Sequence, residues 1–97
     1  MGEQELNELK LKIAPVASQY GVESVYLFGS RARGDADVNS DYDFYIQKGK
    51  IVGLQLMSFE RSLENVLGRT VDVVTSGVHS ERLMGSIRRD GVLLYEG

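Results

Sequence analysis

Cysteine is absent from these 97 residues, histidine and proline occur once each, and no apolar run approaches the length of a membrane span. Each gap removes a class of function. Without cysteine there is no disulfide, no thiolate metal ligand and no cysteine nucleophile. The single histidine, His79, leaves no histidine cluster to hold a transition metal. Neither a long apolar segment nor a cleavable apolar leader is visible, so membrane insertion and secretion are not expected and the cytoplasm is the default. A basic surplus is missing too. Eleven lysines and arginines against fourteen acids give a net charge of -3 and a pI near 5.1, which does not suit a domain that tracks nucleic acid and better suits a basic protein partner. What is present, 42% hydrophobic and 26% charged residues, describes a single domain over 1–97, with one core and no room for a second.

Leu6, Leu9, Ile13, Val16, Ala17 and Tyr20 recur at three- and four-residue spacing and predict an amphipathic amino-terminal helix. Pro15 falls inside it, where it either kinks the helix or starts a second short one, and Gly21 is placed to end it. A strand follows at Val25 to Phe28, then a Gly-Ser turn into a short helix, then a polar loop from Gly34 to Ser40. A second strand covers Tyr42 to Gln47. Leu56, Phe59, Leu63, Val66 and Leu67 mark another helix face closed by Gly68, followed by a strand at Val71 to Thr75. A helix from Glu81 to Arg89 and a strand from Val92 to Tyr95 complete the chain. This order predicts an α/β fold with a mixed sheet of about four strands and flanking helices, packed mainly on one side.

The chemistry concentrates at the first two strand ends. Gly29 and Ser30 are small enough to let backbone N–H groups face a phosphate at the turn. Ten residues then separate Ser30 from Asp41-Tyr42-Asp43. Side chains alternate along a strand, so Asp41 and Asp43 project together and suit one or two hard divalent cations. Asp72, between Val71 and Val73, adds a third carboxylate if its strand lies beside the second. Two such cations can hold a nucleotide's phosphates and activate a hydroxyl, with Asp72 completing a metal shell and accepting the hydroxyl proton. Taken singly, each feature has an ordinary reading: a polar strand face, an acid on an edge strand, a Gly-Ser loop that binds nothing. Their joint spacing is what points to a nucleotide and metal site.

Arg31 and Arg33 offer forked cations to phosphate or to a partner, and Arg33 is the preferred phosphate ligand. Asp35 and Asp37 sit in a polar loop and read as solvated acids outside the site. His79 reads as a surface or capping residue, and Arg82, Arg88 and Arg89 as an exposed helix face. Met57, Met84 and Leu94 are apolar residues for either the core or a docking surface.

These residues resemble the minimal nucleotidyltransferase (MNT) domains of the DNA polymerase β-like superfamily. The resemblance rests on Leu27-Phe28-Gly29-Ser30-Arg31-Ala32-Arg33-Gly34, the ten-residue gap, Asp41-Tyr42-Asp43, and Asp72 where a third carboxylate is expected. It spans essentially the whole chain. It implies that Gly29 and Ser30 hold the β- and γ-phosphates of ATP, that Asp41 and Asp43 ligate Mg²⁺, two ions in all, and that Asp72 is the catalytic carboxylate. Relatives of this size resemble antitoxins paired with a HEPN ribonuclease toxin. The implied activity is transfer of AMP from ATP to a tyrosine hydroxyl of that toxin, within a hetero-oligomer. Two alternatives stay open at this point: an antitoxin that acts by binding alone, and transfer to a small-molecule hydroxyl. Base preference, the number of AMP units and the acceptor residue are not encoded in these motifs.

Overall fold

The computed structural model describes residues 2–77 and 80–97. Helix α1 (Glu3–Tyr20) buries Leu9, Ile13, Val16 and Ala17, the stripe that the spacing predicts. It runs unbroken through Pro15. Proline cannot donate to the Leu11 carbonyl, but both residues lie on the exposed face, where water can satisfy that oxygen. The expectation of a second short helix is therefore not met. The left-handed Gly21 ends α1, and the backbone turns at once into β1 (Ser24–Phe28).

The next elements are α2 (Gly29–Arg33), β2 (Tyr42–Gln47), α3 (Leu54–Leu67), β3 (Val71–Thr75), α4 (Glu81–Asp90) and β4 (Val92–Glu96). The four strands form one sheet in the order β3-β2-β1-β4. β1 is antiparallel to both β2 and β4, while β2 and β3 are parallel and joined through α3. The sheet is thus mixed, as expected from the element order.

Alternation decides which residues face where. Val25 and Leu27 of β1, Phe44 and Ile46 of β2 and Val71 of β3 join Leu9, Ile13, Phe59 and Leu63 in one core beneath α1 and α3. Phe59 is fully buried and meets the Tyr20 ring edge-on at 5.6 Å between centroids. Cutting a buried phenylalanine back to alanine costs about 3–5 kcal/mol, a large share of what a domain this small has. The Tyr20 hydroxyl lies 3.3 Å from Ser62 Oγ and ties α1 to α3 at the same place. The other face of the sheet carries Asp43, Tyr45 and Gln47 along β2 and Tyr26 along β1, and α4 lies across it with Ile87 buried. Helices therefore pack on both faces, with α1 and α3 forming the larger layer. Ser24 is buried without cost because its hydroxyl donates to Gln47 Oε1 at 2.7 Å.

Candidate active site

Three strand ends meet at one row of the sheet. Phe28, the last residue of β1, pairs with Asp43 of β2, and Asp43 pairs with Asp72 of β3. Residues paired in a ladder project to the same face, so the Asp43 and Asp72 carboxylates are neighbours on adjacent strands about 4.8 Å apart. Asp41 precedes β2 by one residue and approaches closely enough to raise the Asp43 pKa. The structure thus brings the three acids to one end of one face. Asp72 is also an exposed residue on an edge strand, so the ordinary description of its position holds as well.

Gly29 explains how an acid can sit so close to a turn. Its φ is 77°, in the left-handed region where side chains are strained. A Cβ there would collide with Asp43 Oδ2 and come within 3.0 Å of Asp43 Cγ. The Asp43 carboxyl therefore lies in the notch that glycine leaves, beside the first amides of α2. Ser30 follows, and its carbonyl accepts from the Gly34 and Asp35 amides at 3.0 and 3.1 Å, closing α2 after five residues.

Charge is concentrated here. Burial holds Asp43 above the ordinary carboxylate value of 3.8, with Asp72 and then Asp41 pushing in the same direction and Arg33 opposing them. Glu60 is raised too, first by burial, then by Glu64 and Asp72. An Asp43 carboxyl pushed up by burial and by two neighbouring acids is one whose ionised form a divalent cation would favour. Among the described residues no three acids close into a ready-made cage. Magnesium ordinarily takes one or two carboxylates and completes its shell with substrate phosphate and water, so hard oxygen donors in this arrangement fit such an ion.

Arg33 is exposed, ion-paired with Asp35 at 3.2 Å, and near enough to Asp43 to favour its ionised form. Asp37 accepts from the Asn39 amide at 2.8 Å and builds the loop turn. The partners of Asp35 and Asp37 thus lie within α2 and the loop that follows it. Arg82, Arg88 and Arg89 are exposed on α4, Leu94 is in the core, and Met57 is exposed. Val78 and His79 lie outside the described residues.

Sequence reasoning missed several neighbours. A hollow of about 450 Å³ adjoins Asp41 and is lined by Asn39, Glu64, Gly68, Arg69 and Thr70. Glu64 Oε2 accepts from the Val71 amide at 3.2 Å and so fixes the start of the strand that carries Asp72. Arg31 points away from the acids to the Ser40 carbonyl. A helical periodicity can place Glu64 near a core face, but nothing in it reveals a backbone partner in the next element.

A family profile described as polymerase beta, nucleotidyltransferase, matches residues 11–97. A Methanocaldococcus jannaschii protein named as a candidate protein adenylyltransferase is 39% identical over 71 residues, covering 72% of this chain and 76% of the relative. The protein adenylyltransferase MntA of Aphanizomenon flos-aquae is 28% identical, covering 95% of this chain and 67% of its own length. The fold is similar to a solved structure described as a candidate minimal nucleotidyltransferase, with a TM-score of 0.77, 27% identity and 95% of each chain covered. It is also similar to a chain in the complex of a tri-AMPylated Shewanella oneidensis HEPN toxin with its MNT antitoxin. That likeness has a TM-score of 0.71 and 19% identity, over 95% of this chain and 73% of that one, and is one of fold.

Proposed function

The chain belongs to the polymerase β nucleotidyltransferase family, and from that premise we propose that it is an antitoxin that transfers AMP from ATP to a tyrosine hydroxyl of a HEPN ribonuclease toxin in the cytoplasm. The observation that carries the proposal is that the Gly29-Ser30 turn, at the end of β1, lies against Asp43, which is in register with Asp72 on the next strand. Residues 1–97 act as one minimal nucleotidyltransferase domain in this reading. The name of the Aphanizomenon relative supports protein as acceptor, and the Shewanella complex supports a HEPN partner.

In the proposed reaction, the amides at Gly29 and Ser30 and the Arg33 guanidinium receive the β- and γ-phosphates. Asp41, Asp43 and Asp72 would hold Mg²⁺, two ions in all, which when bound polarise the α-phosphoryl group and offset charge on the leaving oxygen. Asp72 takes the proton from the tyrosine hydroxyl as its oxygen attacks the α-phosphorus. The bond to the β-phosphate bridging oxygen breaks, and pyrophosphate departs. The added phosphodiester places bulk and negative charge on the toxin, where it opposes RNA binding.

A second reading, neutralisation by binding alone, is favoured by exposed Val52, Leu54 and Met57 at the start of α3. Intact-mass spectrometry of the toxin after incubation with this protein, ATP and Mg²⁺ separates the two. Transfer predicts one adenylyl mass per event, lost in the Asp41→Asn/Asp43→Asn variant together with neutralisation. A double variant that still protects cells fully would exclude transfer as the mechanism.

A further inference from the structure

Arg31 and Arg33 stand two residues apart on α2, so they leave the helix about 200° apart. Arg33 turns to the acid face. Arg31 turns behind it, where Nη2 and Nε donate to the Ser40 carbonyl at 2.7 and 3.1 Å. The same guanidinium lies 4.1 Å from the centroid of the Tyr42 ring. Tyr42 in turn stacks on Phe44, with ring planes 2° apart and centroids 5.8 Å apart, and Phe44 is fully buried in the core. One half-buried side chain thus grips the residue before Asp41 and the residue after it.

We propose that Arg31 is a positioning residue for Asp41 and Asp43, holding the backbone on both sides of Asp41 from behind the site without touching nucleotide. The inference rests on the proposed metal role of the two acids. Its physical basis is that the loop from Gly34 to Ser40 is polar and exposed over much of its length, and its Asp37–Ser40 turn ties the loop to itself rather than to the core, so Arg31 adds a link from the core to the residues beside Asp41 that the loop does not supply. Arg31 transfers the rigidity of the core to that loop. The contact also explains why an arginine is used: a planar fork can donate twice to one carbonyl while its flat face rests on an aromatic ring, and an ammonium cannot do both. Outer contacts of this kind commonly change metal affinity by about 10- to 100-fold when removed.

The test compares wild type with Arg31→Met, Arg31→Lys and Tyr42→Phe by amide hydrogen exchange across residues 39–43 in metal-free protein, alongside Mn²⁺ affinity with ATP present by electron paramagnetic resonance. Arg31→Met and Arg31→Lys are expected to speed exchange in that segment alone and to weaken Mn²⁺ about tenfold. Tyr42→Phe, which keeps the ring, is expected to match wild type. Unchanged exchange in Arg31→Met, or full rescue by lysine, would overturn the proposal. If wild type itself held no Mn²⁺, the metal role of the acids would fall, while exchange would still decide whether Arg31 holds the segment. Should Arg31→Met fail to fold, Arg31→Lys and Tyr42→Leu carry the same measurement.

Discussion

Asp43 occupies its place only because residue 29 has no side chain. In Gly29→Ala the new methyl meets the Asp43 carboxyl and the backbone is strained at φ 77°. A stability loss of about 1–2 kcal/mol is expected from the two effects, read by thermal melting, together with at least a tenfold fall in transfer. Asp43 itself should behave in the opposite way in the metal-free protein. Its folded-state pKa lies above 3.8, so between those two values the folded protein binds more protons than the unfolded chain. Stability from this group is therefore fully present below 3.8 and is lost as pH rises through the raised folded value. Glu60 acts in the same direction from its own ordinary value of 4.5. Asp43→Asn should remove that loss and raise the melting temperature at neutral pH by a few degrees, the scale of about 0.5 kcal/mol for a screened contact, while abolishing transfer. A melting temperature unchanged by Asp43→Asn would show that burial of the Asp43 charge and its repulsion by Asp72 and Asp41 cost little.

At the scale of elements, β3 is an edge strand whose start is held by a side chain from α3. Glu64→Ala leaves the Val71 amide without that acceptor. We expect a loss of about 1 kcal/mol in denaturant unfolding and a reduced transfer rate, because Asp72 is the next residue. The same elements show what a sequence exposes to inspection. β2 and β3 were legible to the residue, since short alternating runs lie between polar loops and glycine-containing turns. The face of Asp43 was legible because strand periodicity fixes it, while Asp41, one residue before β2, stood out through the spacing from Gly29 and Ser30, which matched a known pattern. Pro15 misled about helix continuity: its effect depends on whether the carbonyl it orphans meets water, which is a tertiary fact. Arg33 was preferred over Arg31 as a phosphate ligand, but the place of Arg31 was not legible because its partners are a carbonyl and a ring face, and neither has a sequence signature. The first turn of α3, from Leu54, was hidden because its apolar residues are exposed rather than periodic with the core.

For the whole molecule, a net charge of -3 favours a basic partner, and association with an RNA-binding toxin should slow as ionic strength rises. Size-exclusion chromatography with light scattering on the co-expressed pair should show a hetero-oligomer. Separate monomers under these conditions would remove the proposed partnership. The parallel pairing of β2 with β3 has a further consequence, and it concerns time. Glycine 29 and Asp43 belong to neighbouring antiparallel strands and can meet as soon as that hairpin forms. Asp72 reaches them only after α3 has crossed the sheet and laid β3 alongside, a pairing between distant parts of the chain that forms slowly. In chain order, the Gly-Ser turn and two acids therefore precede the proposed proton acceptor, which the sheet adds from a later strand. The proposed site is therefore complete only once β3 has paired with β2 at the edge of the sheet.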